Sequence, residues 1–122
     1  MTHYVLNADR SIEQLDDIVE WTRRFELDDR VVADTLLPTR TLITTVFTGI
    51  PLGLDRTGRP WLFESSVWKG PQNGRRVLYA TFGDAQKGHR KLVQEVCAAE
   101  GVSPPDPQDR PPEAPEGPQQ GS

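Results

Sequence analysis

Apolar side chains along this chain follow two rhythms, one helical and one pleated. Between Ser11 and Phe25 they recur every three or four residues, at Ile12, Leu15, Ile18, Val19, Thr22 and Phe25. Asp16, Asp17, Glu20, Arg23 and Arg24 fall between them. That spacing puts the apolar set on one face of a helix over 12–26 and the charges on the other. Ser11 followed by Gln14 fits a capping box at its start. Acids in the first half and arginines at the end suit the helix dipole.

The helical rhythm returns after Thr81. Ala85, Gly88 or His89, Leu92, Val96 and Ala99 form a stripe, with Thr81 as cap, Asp84 at its third position and Gly101 placed to end the helix in a left-handed conformation. Gly88 costs about 1 kcal/mol in a helix interior relative to alanine. The physical reason expected is a close approach of the helix to whatever it covers.

Between the two helices the period drops to two. Val31–Leu37, Arg40–Ile50, Trp61–Lys69 and Arg76–Thr81 are rich in β-branched and aromatic residues. They are separated by Pro38-Thr39, by the Gly53–Gly58 stretch, and by Gly70-Pro71-Gln72-Asn73-Gly74, whose Asn-Gly pair suits positive φ. Connections this short make neighbouring strands antiparallel. The expected fold is α+β, in the order α-β-β-β-β-α. An antiparallel four-stranded meander carries the N-terminal and C-terminal helices on one face. In the third strand, alternation sends Trp61, Phe63, Ser65 and Val67 to the covered face and Leu62, Glu64, Ser66 and Trp68 to the other.

Composition adds a boundary and several exclusions. Seven prolines and one large aliphatic residue, Val102, make up most of what distinguishes 102–122, so residues 1–101 are expected to form one domain followed by a disordered, polyproline-like acidic tail. The apolar runs are far shorter than the roughly 20 residues of a membrane helix. No basic-then-apolar leader opens the sequence, and a cytoplasmic, non-membrane protein is the expectation. One cysteine, Cys97, precludes an internal disulfide or a multi-cysteine zinc module and reads as a small buried hydrophobe. The formal net charge of −4 hides an uneven distribution. Residues 1–36 hold nine acids against four arginines, and residues 37–101 hold nine bases against five acids. A basic middle of only +4 without a dense Lys/Arg run points to pairing with the chain's own acids more than to a grip on duplex nucleic acid.

Three blocks in the middle of the chain resemble a known family. Thr45, Val46, Phe47 and Gly49 match a T-V-F-x-G strand. Leu62, Phe63, Glu64, Ser65, Val67 and Trp68 match an L-F-E-T/S-x-V-F/W strand. Tyr79, Thr81, Phe82, Ala85, Gly88, His89 and Val93 match a Y-x-T-W/F-x-x-A-x-x-G-H-x-x-x-V run into the last helix. Over residues 40–95 the chain thus resembles a family of small uncharacterised proteins of bacteriophages and of bacterial genomes with phage-derived genes. The resemblance implies a phage-associated origin and brings no activity with it. Such proteins commonly carry an Asp-His pair after the first block, where this chain has Asp55-Arg56.

Candidate chemistry is sparse. His3 falls in a terminus expected to be mobile. His89 can act as a general base or anion contact, or can be a core histidine bonded to backbone. Glu64 would orient an imidazole if it lay beside His89, yet alternation places the sheet between them. His89 and Cys97 are too far apart on a helix to share a metal, and neither a phosphate-binding glycine loop nor a nucleophile elbow is present, so no cofactor and no metal are expected. A small enzyme using Glu64 and His89 remains a lesser alternative. Binding is the preferred class, with an unknown protein partner, a host factor, ahead of nucleic acid or a nucleotide. The anion reading rests on Arg56, Arg59, Arg75 and Arg76 around the hairpin turns and on Lys87, His89, Arg90 and Lys91 at the start of the last helix, an arrangement partly like a double-stranded RNA-binding domain. The surface expected to act is the exposed sheet face with its turns: Arg59, Glu64, Trp68, Arg75 and Arg76, with His89 nearby.

Overall fold

The computed structural model describes residues 2–105, so most of the expected tail, 106–122, lies outside the described residues. The fold is α+β. Its elements are β1 (Tyr4–Leu6), β2 (Ile12–Gln14), α1 (Ile18–Leu27), β3 (Val31–Leu36), β4 (Leu42–Phe47), β5 (Phe63–Trp68), β6 (Arg76–Tyr79) and α2 (Phe82–Glu100). Strands β3-β4-β5-β6 form the antiparallel meander in sequence order, and β1 and β2 form a separate hairpin. The four central strands lie within the four segments marked by period-two patterning.

Residues 12–14 correct the helix expected from 12. The Ser11 hydroxyl is bonded to Asp9 Oδ1 at 2.6 Å, in a tight turn where Arg10 has φ +71°, so it caps nothing. The cap is Asp17, whose Oδ1 accepts from the backbone N–H of Val19 at 2.9 Å and of Glu20 at 3.3 Å. Over three residues a strand and a helix turn share the same apolar spacing, and the Asp9 turn decides between them. The terminus is also fastened. His3 packs beside Trp21 with ring centres 4.8 Å apart, and its carbonyl accepts from the Leu15 N–H at 2.9 Å.

The two helices meet the core differently. α2 crosses all four strands of the sheet, burying Phe82, Ala85, His89, Leu92, Val93, Val96 and Cys97. α1 buries no residue completely and packs on β1. Its Trp21 indole donates to the Tyr4 carbonyl at 2.8 Å, and Trp21 and Phe25 stack together against Gly49. A Cβ on Gly49 would sit 2.9 Å from the Phe25 ring, at φ +75°. Leu6 of the hairpin joins Phe47, Phe63, Tyr79 and Phe82 in one apolar cluster at the start of α2. A second cluster, with Leu37, Ile43, Val67, Leu92, Val93 and Val96, lies under its later turns.

Register fixes the faces. Thr35↔Ile43↔Val67, Ala33↔Thr45↔Ser65↔Val77 and Phe47↔Phe63↔Tyr79 form the rows covered by α2 and the hairpin. A bulge between Val31 and Ala33 adds Val32 to the core without shifting the rest of β3. Phe63, Ser65 and Val67 face inward as alternation requires. Leu62 does not follow it: it precedes β5, outside the pleat, and is buried in the first cluster.

The caps of α2 match the sequence. Thr81 Oγ1 accepts from the Asp84 N–H at 3.1 Å. Gly101 has φ +72°, and the Val102 N–H bonds the Cys97 carbonyl at 3.0 Å, closing a Schellman turn in which Val102 packs on the second cluster. Gly88 lies where α2 presses hardest on the sheet. A Cβ there would meet Tyr79 Cε1 at 2.0 Å. Gly88→Ala is expected to cost roughly 1–3 kcal/mol through overpacking, outweighing the about 1 kcal/mol gained in helix propensity. Urea unfolding checks this; an unchanged or raised midpoint would show that the helix stands off the sheet.

Candidate functional site

Alternation along β5 separates the two residues on which a catalytic reading depended. His89 sits in the layer between α2 and the sheet and is 1% exposed. Its Nε2 is 2.8 Å from Thr35 Oγ1 and its Nδ1 is 2.7 Å from Thr45 Oγ1. Thr45 in turn shares a hydrogen bond with Ser65. A hydroxyl both donates and accepts, so two threonines satisfy either neutral tautomer of the ring. With both nitrogens engaged and the ring buried, His89 presents neither to an incoming molecule. The backbone partner expected for a core histidine is replaced by side-chain hydroxyls from two strands.

Glu64 points to the opposite face. There it pairs with Arg76 across β5 and β6, one row diagonally removed from its direct neighbour Leu78. This is the separation by the sheet that alternation implied. His89 therefore does not belong with the open-face residues, and that grouping is corrected.

The open face itself carries three cross-strand rows. Leu36↔Leu42↔Trp68 is apolar, Asp34↔Thr44↔Ser66↔Arg76 is polar, and Val46↔Glu64↔Leu78 is mixed. Trp68 is 54% exposed and Leu36 52%. The Trp68 indole N–H donates to Thr44 Oγ1 at 3.2 Å, which turns the ring toward β4. Leu36, Leu42 and Thr44 had no part in the sequence-derived site because their register against Trp68 depends on hairpin pairing.

The remaining arginines lie elsewhere. Arg59 is in the loop between β4 and β5, where its Nε donates to Asp55 Oδ2 at 3.0 Å. Arg75 is at the β6 edge and pairs with Glu95 of α2 at 2.5 Å. Each of Arg59, Arg75 and Arg76 thus has a carboxylate partner, which reduces what it offers to a phosphate backbone. Among the described residues no cluster of three or more His, Cys, Asp and Glu side chains could hold a metal ion. No helix among them is long and apolar enough to cross a membrane.

No family model, curated protein or solved structure matches this chain. The site therefore stands on geometry alone.

The Asp55 loop gives a measurable check of that geometry. The Thr57 hydroxyl, then the backbone N–H groups of Arg59 and Thr57 and the Arg59 side chain, hold the Asp55 carboxyl down at about 2 against an opposing desolvation. Because the folded value is depressed, the carboxylate's contribution to the loop is complete above the ordinary value of 3.8 and is lost as pH falls through about 2. Thr57 and Arg59 amide shifts are expected to titrate with a midpoint near the lower value. A midpoint at the ordinary carboxyl value would show that the loop does not close on Asp55.

Proposed function

We propose that this protein is a non-catalytic binding module, an accessory protein of bacteriophage type, which docks a protein of the host cytoplasm on its open sheet face. The observation that carries this reading is the exposed Leu36–Leu42–Trp68 row. A half-exposed tryptophan beside half-exposed leucine, on a rigid sheet, is the kind of aromatic and aliphatic anchor around which protein interfaces concentrate their binding energy. Asp34 and Arg76 of the next row border it as a polar rim, with Glu64 one row beyond and paired with Arg76. The pleat holds these side chains in place, so little ordering entropy is lost on docking.

Burial of His89 and its distance in space from Glu64 weigh against the enzyme reading. The ion pairs of Arg59, Arg75 and Arg76 weigh against nucleic acid or a nucleotide, since a phosphate would compete with a carboxylate already in place. Arg76 supports the protein reading as a rim contact, whereas Arg59 lies in the β4–β5 loop and the Arg75 side chain turns to Glu95 of α2.

Capture from host lysate with wild-type and variant protein tests the reading. Trp68→Ala is expected to weaken one salt-tolerant protein partner by about 2 kcal/mol or more, roughly thirtyfold, with an unchanged melting temperature. Arg76→Ala should weaken it less, by about 0.5–1 kcal/mol. Undiminished capture by Trp68→Ala, or salt-sensitive capture of RNA in place of protein, contradicts it.

A further inference from the structure

The corner of the molecule where α2 ends is also where the open apolar row lies. Glu100 accepts from the Thr39 and Thr41 hydroxyls, and a Cβ on Gly70 would lie 2.6 Å from its Oε2. The last turn of α2 is thereby held against both hairpin turns. Leu42 follows Thr41 directly and Trp68 stands two residues before Gly70. The Leu36–Leu42–Trp68 row therefore crosses the open face at this same end of the sheet. Val102 packs back on the second cluster, and Ser103, Pro104 and Pro105 then leave the corner exposed. Two cations sit beside the row, Arg40 in the β3–β4 turn and Lys69 next to Trp68. Both are exposed, and neither makes an ion pair among the described residues.

The chain that continues from this corner carries the complement of the row. Residues 106–122 hold Asp106, Asp109, Glu113 and Glu116 against Arg110, with Pro107, Pro111, Pro112 and Pro115 between the acids. Proline rings pack on an exposed aromatic ring at low entropy cost, because their backbone is already restricted. Carboxylates suit a rim of unpaired cations. Polyproline chain advances about 3.1 Å per residue, so about five residues cover roughly 15 Å, enough to round the end of a single sheet. We infer that residues 106–122 turn over this corner and dock on the Leu36–Leu42–Trp68 row, prolines on the Trp68 ring and acids at Arg40 and Lys69. The inference rests on the reading of the open face as a docking surface and adds its regulation: the chain carries its own competitor. A tethered segment acts at an effective concentration on the order of mM, so contacts too weak to hold a free peptide suffice to cover the row. A host protein gains the face only by displacing the tail.

A nitroxide on Gln119→Cys of the ¹⁵N-labelled full chain tests the inference, since Cys97 is buried and does not take the label. Broadening of the Trp68 indole and of the Leu36 and Leu42 amides is expected, with the amides of the last turn of α2, on the inner side of the same corner, less affected. Asp109→Asn, Glu113→Gln and Glu116→Gln together should lower the ratio of docked to undocked chain about fivefold, as loss of exposed ion pairs does. The melting temperature should not move. Equal broadening on both sides of the corner, or broadening unchanged in the triple variant, overturns the proposal. So does broadening of ¹⁵N chain mixed with unenriched spin-labelled chain, which marks a second copy as the occupant. Host capture is scored separately. Trp68-dependent capture without tail contact overturns the tail's role alone, whereas tail contact without such capture upholds it and overturns the host reading.

Discussion

One imidazole ties the layers of this protein together. His89 reaches from α2 into the sheet and engages Thr35 on β3 and Thr45 on β4, and through Thr45 it is linked to Ser65 on β5. Leaving any of these buried groups unpaired costs about 1–3 kcal/mol, so the network has one satisfactory arrangement and many poor ones. That constraint fixes the rotation of α2 about its axis and its position along the strands. Apolar packing alone is less exacting under the later turns of α2, where the second cluster is built largely of interchangeable aliphatic contacts.

Fixing α2 decides what each surface is left to do. The inner face of the sheet is consumed by α2, and its end by the hairpin and the aromatic side chains that stack behind it. At the far end Glu100 accepts hydrogen bonds from the Thr39 and Thr41 hydroxyls, which hold its carboxyl below the ordinary range and fasten the β3–β4 turn to the end of the helix. The outer face receives no cover from any described element. Its Leu36–Leu42–Trp68 row is therefore held in place by a framework that is satisfied without it. The same rigidity places Tyr79 beneath Gly88 at the sheet edge.

Much of this architecture was legible because local signals agreed with the global fold. Thr81 with Asp84, Gly101 and the alternation of Phe63 to Trp68 all mark their structures by residue type alone, whereas in the β5–β6 connection positive φ falls on Lys69, Gly70 and Gly74 and not on Asn73 of the Asn-Gly pair. Gly88 was readable as a close approach, although not as an approach to Tyr79. What failed was whatever depends on pairing at a distance. Ile12 and Leu15 fit a helix as well as a three-residue strand, and only the Asp9 turn and the contacts of Leu6 distinguish them. The hydroxyl partners of His89 come from strands 54 and 44 residues away in sequence, and periodicity carries no register across such gaps. The candidate arginines were visible as charges, while the carboxylates that pair with them lie on other elements or in the same loop.

The central claim is that His89 and the sheet hydroxyls stabilise the fold as a coupled unit, which a double-mutant cycle measures directly. His89→Ala, Thr45→Ala and the double variant, compared by equilibrium unfolding, are expected to show a coupling energy of about 1 kcal/mol or more. Losses that add to within about 0.3 kcal/mol would contradict it, because the ring and the hydroxyl would then contribute independently.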